Sequence, residues 1–170
     1  IDDIEDDPND DWKEALLTEL IKLSSRGFEA FCQTLLYRLK FEDVRLTGGP
    51  NDGGIDGEAT LIHSNVLSSK IYFQCKKYQD THPIGTSFIR DFRAGINRKP
   101  GGAPAAHGLF ITTGRLTEGA KKEASEVHPV IDVIEGDKLI ELMQELELGV
   151  QPSWIADFAF FNQPTFEKDE

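Results

Sequence analysis

Three residues in one stretch of the chain have the types needed to hydrolyse a phosphodiester: Asp56, Gln74 and Lys76. Hard divalent cations such as Mg²⁺ take oxygen ligands, and Asp56 supplies a charged one. Gln74 offers a neutral amide oxygen, a weaker ligand, and the backbone carbonyl of Cys75 offers another. Lys76 has the charge to orient or help deprotonate an attacking water and to stabilise a phosphate. The cation itself would serve as Lewis acid and water activator. Surface carboxylates and lysines are common on strands, so an aspartate eighteen residues ahead of a Gln-x-Lys does not by its spacing decide the matter.

These side chains must be brought together by a hairpin. Residues 55–63 and 69–77 read as strands joined by the polar connection 64–68. Side chains alternate along a strand, so Ile71, Phe73 and Cys75 share one face while Tyr72, Gln74 and Lys76 share the other. A turn centred near Asn65 and Val66 sets Asp56 opposite residue 75, give or take one, before any bulge is counted. Upstream, apolar spacing predicts helices over residues 12–23 and 27–39. The second buries Phe28, Phe31, Cys32, Leu35, Leu36 and Leu39 and leaves Glu29 off its stripe. A short strand over 42–47 runs into Gly48-Gly49-Pro50-Asn51-Asp52-Gly53-Gly54, a loop by composition.

Downstream the pattern alternates. A helix over 85–97 breaks at Arg98-Lys99-Pro100-Gly101-Gly102, a buried strand covers 108–113, and a helix covers 117–127. A strand over 130–134 and a helix over 137–148, closed by Gly149, complete it. This order predicts an α/β fold with a mixed, partly parallel central sheet flanked by helices. Thr112 and Thr113 end a strand near the proposed site, where they either close the strand or contact phosphate.

At 170 residues the chain has the length of one domain with trimmings. Residues 1–11 read as an acidic leader or linker, 12–150 as the body, and 151–170 as an aromatic extension that docks on the body or on a second subunit. No apolar run approaches the length of a membrane span and no signal-peptide pattern opens the chain. Cys32 and Cys75 form no spaced pair of a disulfide or zinc framework, which suits a reducing cytoplasm. The chain opens on Ile1 without an initiator Met, as a piece of a longer protein would.

The net charge of −12 argues at first against a polyanionic partner. Its distribution argues otherwise. Eight of the 30 acids lie in the first 14 residues against one base, whereas residues 76–122 hold nine bases and three acids. Phosphate docking depends on the charges at the contact, so this basic stretch remains a candidate DNA surface through Lys77, Arg90, Arg93, Arg98, Lys99 and Arg115. A solvated helix face accounts for the same charges. Other chemistries have less support. The glycine-rich loop lacks the Gly-Lys-Ser/Thr ending of a P-loop, no Gly-x-Ser-x-Gly elbow occurs, and the four histidines are too dispersed for a metal site.

The ordered string of motifs resembles the catalytic domain of the Mrr restriction endonuclease family, a branch of the PD-(D/E)xK nuclease fold. The matching residues are Phe28-Glu29, Thr47-Gly48-Gly49, Asp52-Gly53-Gly54-Ile55-Asp56-Gly57, Tyr72-Phe73-Gln74-Cys75-Lys76-Lys77 and Gly108-Leu109-Phe110-Ile111-Thr112-Thr113. Leu116-Thr117, Ala120, Ala124, Gly136 and Leu139 continue the match. The resemblance implies that Asp56 binds a metal, that Lys76 is the motif lysine, and that Glu29 is the helical acid assisting the metal, often through water. Gln74 stands where most such nucleases have Glu or Asp, a replacement typical of this branch. Ile55 replaces the usual Pro. The implied activity is cleavage of double-stranded, modified (methylated) DNA in a restriction system, with Mg²⁺ or Mn²⁺. It also implies a homodimer or larger assembly and a separate DNA-recognition domain outside this chain. The competing reading is a DNA-binding or assembly module that keeps the fold without turnover, which Gln74 and the acidic ends favour.

Overall fold

The amphipathic stripes at the start of the chain form α1 (Asp11–Lys22) and α2 (Ser25–Arg38). The computed structural model describes residues 11–47, 54–79, 82–99, 107–151 and 156–169. Residues 1–10 of the acidic leader, the loop 48–53 with Asp52, and Trp154 lie outside these described residues. Ser24 caps α2, its hydroxyl accepting from the Gly27 N–H at 3.0 Å and so satisfying one of the unpaired donors of the first turn. Phe28, Phe31, Cys32, Leu35 and Leu36 are buried on one side of α2. Glu29 is left at the margin of that side.

The sheet has five strands in sequential order: β1 (Glu42–Leu46), β2 (Gly57–Ser64), β3 (Leu67–Lys76), β4 (His107–Thr112) and β5 (Ile131–Ile134). β1, β2 and β3 run antiparallel, while β3, β4 and β5 are parallel. Two crossover helices make the parallel part possible: α3 (Thr86–Arg98) joins β3 to β4 and α4 (Glu118–Glu126) joins β4 to β5. The sheet is therefore mixed and flanked by helices, as the alternating pattern predicts.

Both faces of the sheet are covered, which a parallel sheet requires. On one face Ile71, Phe73 and Ile111 pack with α1, α2 and α5 (Gly136–Glu145). On the other, Tyr72 and Phe110 pack with Ile89, Phe92 and Ile96 of α3 and Ala120 and Ala124 of α4. Arg93 is buried between α3 and α4, with one guanidinium nitrogen 2.6 Å from the Glu123 carboxylate and another 2.6 Å from the Glu123 carbonyl. No helix among the described residues is long and apolar enough to cross a membrane.

After α6 (Phe158–Phe161) the chain returns to α1 and α2. Phe31 meets the rings of Phe160, Phe161 and Phe166. The Ser24 N–H donates to the Glu167 carbonyl, and the Asp169 N–H donates to the Lys22 carbonyl at 3.2 Å. Gly27 permits this approach. A Cβ there would stand 2.2 Å from the Glu167 carbonyl oxygen, a backbone atom with little room to give. Gly27→Ala is therefore expected to lift residues 166–169 off α2 and to cost about 1–3 kcal/mol. Urea unfolding and the rate of proteolysis within 156–169 check this. Wild-type values in both would show that the contact is not so close.

Candidate active site

The hairpin register decides what meets at its open end. Ser64 pairs with Leu67 at the tip, and after an irregularity between Ile62 and Ser64 the ladder settles into Gly57↔Phe73. That irregularity moves the register by one residue, within the margin given above. The Asp56 N–H donates to the Phe73 carbonyl at 3.0 Å, and the Cys75 N–H donates to Oδ2 of Asp56 at 2.7 Å. Asp56 is thus fastened to the residue that separates Gln74 from Lys76.

Strand alternation then sorts the neighbours. Cys75 packs on the α2 side, where Cys32 lies beside it; both thiols are free, and burial pushes the Cys75 thiol well above its usual range. A thiol held protonated in this way is a poor nucleophile. Gln74 and Lys76 face the α3 side, lining a cleft of about 440 Å³ with Gly54, Phe88, Asp91, Ala94 and Arg98. Asp56 and Glu29 are not part of that lining, but both charges are felt nearby. Burial raises the Asp56 carboxyl to about 6, the Cys75 N–H opposes the rise, the Glu29 charge adds to it and the Lys76 charge opposes it. Glu29 is itself raised by burial, against the pull of Arg26.

Gln74 has an unusual position. Its Oε1 is buried and accepts no hydrogen bond from the described residues. Its Nε2 lies against Gly54, whose φ of +82° suits glycine and where a Cβ would come within 2.6 Å of the amide nitrogen. A buried carbonyl oxygen without a donor costs about 1–3 kcal/mol unless something else fills its lone pairs. A hard cation is such a group. Among the described residues no cluster of three or more His, Cys, Asp or Glu could hold a metal by itself. A donor set for a cation would have to combine the Asp56 carboxylate with the Gln74 amide oxygen and the Cys75 carbonyl, with Glu29 adding charge from α2.

Lys76 is held at both ends. Its Nζ stands 4.6 Å from the centroid of the Phe88 ring, and its carbonyl accepts from the Thr112 hydroxyl at 2.7 Å. Thr113 does the same two residues on, accepting from the Tyr78 N–H at 2.8 Å and donating to the Tyr78 carbonyl at 3.0 Å. Both threonines are buried. Of the two roles left open for them, closing the strand is the one these bonds describe.

The candidate DNA contacts divide. Arg98 is exposed at the rim of the cleft, Lys99 is half-buried beside it, and Arg90 and Arg115 are exposed although they pair with Glu123 and Asp137. Two others need correction. Arg93 is buried, and Glu123 and the Pro129 carbonyl take up its guanidinium, so it braces α3 against α4 and presents nothing to a phosphate. Lys77 is bonded to the Leu23 carbonyl and to Asp169, with 11% of its side chain exposed. It fastens the C-terminal segment.

The profile of the Mrr catalytic-domain family, described as a restriction endonuclease, matches residues 20–143. The chain belongs to this family. Over 139 residues it is 32% identical to the type IV methyl-directed restriction enzyme EcoKMrr of Escherichia coli (strain K12), covering 79% of this chain and 43% of that protein. The chain thus spans less than half the length of this relative. Two solved structures share the fold at 19% identity. The DNA modification-dependent restriction endonuclease AspBHI has a TM-score of 0.66 over 81% of this chain and 36% of that one. The MspJI restriction endonuclease, in complex with a 27-mer oligonucleotide, has a TM-score of 0.60 over 78% and 31%.

Within this Mrr-type domain the sequence reading overlooked Phe88. One signal was available: Phe88 sits one residue off the stripe of Ile89, Phe92 and Ile96 that buries α3, and so lies at the margin of that core, where it lines the cleft. The raised Asp56 carboxyl has a thermodynamic consequence with a definite sign. Its folded value of about 6 exceeds its ordinary 3.8, so its favourable contribution is complete below 3.8 and is lost as pH rises to about 6. Asp56→Asn keeps an acceptor for the Cys75 N–H and removes the buried charge. The metal-free variant is expected to be more stable than wild type by about 1–2 kcal/mol at pH 8, after allowance for solvent screening, and equal to it near pH 3.5. Thermal unfolding at the two pH values reads the difference. A less stable variant at pH 8 would contradict it.

Proposed function

We propose that this domain hydrolyses phosphodiester bonds of double-stranded DNA, as the nuclease part of a type IV-like restriction enzyme directed at modified (methylated) DNA. The observation that carries the reading is the buried Oε1 of Gln74, which accepts from none of the described residues, one residue before the Cys75 N–H that holds Asp56, on a restriction-endonuclease fold. Nucleases of this family generally depend on a divalent metal. Mg²⁺, with Mn²⁺ as substitute, suits oxygen donors of this kind. Asp56, Gln74 and the Cys75 carbonyl would hold it, and Glu29 would reach it through water.

When bound, the cation supplies Lewis acidity at the phosphate and a more acidic water. The chain's own residues do the rest. Asp56, ionised above pH 6, gives the cation its charged ligand. Lys76 presents its ammonium to the negative charge that develops on the phosphate and orients the attacking water. Arg90, Arg98 and Lys99, on α3 or just after it, and Arg115, in the β4–α4 connection, supply sequence-independent phosphate contacts. Reading the modification falls, on this proposal, to a separate DNA-recognition domain outside this chain. Cutting both strands takes two such sites, hence a homodimer or larger assembly, and a cytoplasmic setting suits a restriction enzyme.

The test is cleavage of methylated and unmethylated plasmid with Mg²⁺ or Mn²⁺. Asp56→Ala and Lys76→Ala are each expected to lower the nicking rate by about a thousandfold, the scale on which enzymes lose rate with a cation ligand or transition-state charge. Unchanged nicking by both variants would overturn the assignment. A second reading, a DNA-binding module without turnover, is favoured by the neutral Gln74 and by the lack of a three-carboxylate cluster among the described residues. It predicts salt-sensitive binding and no cleavage with any metal.

A further inference from the structure

Lys76 belongs to the motif, but a lysine has four rotatable side-chain bonds and an ammonium that is useful only where the phosphate will be. Its backbone carbonyl accepts from the buried Thr112 hydroxyl, and the buried Thr113 hydroxyl bonds the backbone of Tyr78 two residues on. Its head group is fixed by something else. The Nζ stands over the face of Phe88 at 4.6 Å from the centroid, inside the range where a cation is drawn to the ring quadrupole. Phe88 is itself backed by Tyr78, ring edge to ring face at 6.4 Å. Tyr78 is the residue that Thr113 grips through both its N–H and its carbonyl. The contacts thus form a closed loop: Thr113 to Tyr78, Tyr78 to Phe88, Phe88 to the Lys76 ammonium, and the Lys76 backbone to Thr112.

We infer that Phe88 is a positioning residue for Lys76, its ring face holding the ammonium in the cleft while Thr112 and Thr113 clamp the backbone behind it. This rests on the nuclease reading of the site for its catalytic consequence and on the ring contact for its physical basis. The ring supplies what an aliphatic side chain of similar bulk cannot, a negatively polarised face. Asp91 shares the cleft with Lys76 and offers its ammonium another place to go once that face is lost.

The test compares Phe88→Leu with Phe88→Tyr in plasmid nicking and pairs the first with Lys76→Met in urea unfolding. Phe88→Leu is expected to lower the rate at saturating DNA by roughly threefold to thirtyfold, the span of a cation–ring contact, with KM within about twofold of wild type. Phe88→Tyr keeps the ring face and restores most of the rate. In the unfolding cycle Phe88→Leu and Lys76→Met are expected to be coupled by about threefold or more in the equilibrium constant. Equal losses in the Leu and Tyr variants, a full rate in Phe88→Leu, or additive effects in the cycle would each overturn the inference. The unfolding cycle needs no turnover, so it decides the contact even if no variant and no wild-type preparation cuts DNA, which would instead defeat the nuclease reading.

Discussion

The hydrogen bond from the Cys75 N–H to the Asp56 carboxylate, at 2.7 Å, is the contact on which the candidate site depends. The antiparallel ladder of the hairpin reaches Gly57↔Phe73 and goes no further. Beyond it, Asp56 offers its side chain where a neighbouring strand would have offered a carbonyl. One acid thereby closes the end of a sheet and stands beside Gln74 and Lys76. The same bond holds the carboxylate in a buried position, and that burial, with the charge of Glu29 adding to it, raises its pKa to about 6. Structure and reactivity at Asp56 are two consequences of one geometry.

Much of this was legible in the sequence because it depends on local periodicity. The period-two alternation of Ile71 to Lys76 and the turn chemistry near Asn65 set the hairpin, and the register came within one residue of the observed one. The shift arises from an irregularity near the tip, which leaves no mark in the composition of residues 62–64. The helices followed from apolar spacing with ends displaced by one to a few residues, since caps such as Ser24 and Thr117 depend on side-chain rotamers as well as residue type. The buried loop of contacts through Thr113, Tyr78 and Phe88 was not legible. It joins residues from β4, the end of β3 and α3, and only a parallel pairing of β3 with β4 brings them together.

Charge shows a similar limit. Counting bases over residues 76–122 treats each as available, but the fold returns acids from other parts of the chain. Glu123 faces Arg90 and Arg93, Asp137 faces Arg115, Asp169 faces Lys77, and Glu135 faces Lys121. Exposed pairs of this kind are weak and readily exchanged for a phosphate, so Arg90 and Arg115 remain usable. Buried ones are not. Arg93 is lost to any partner because its donors already have acceptors in the protein, and Lys77, although half-buried rather than buried, is tied to the Leu23 carbonyl and Asp169.

The amide at position 74 fits this electrostatic setting better than the carboxylate more usual in such nucleases. Asp56 is already raised by burial and by the charge of Glu29, so a third acid on the same few residues would sit with a buried oxygen against two neighbours of like sign. In the absence of a cation, one of the three would have to take up a proton or the strand end would be driven apart. Glutamine keeps the oxygen and gives up the charge. The metal-free fold is then under less strain, while the attraction for a cation is weaker than three carboxylates would exert. On the proposed reading, occupancy of the site would follow the cation concentration and the pH, and turnover would need both the cation and an ionised Asp56.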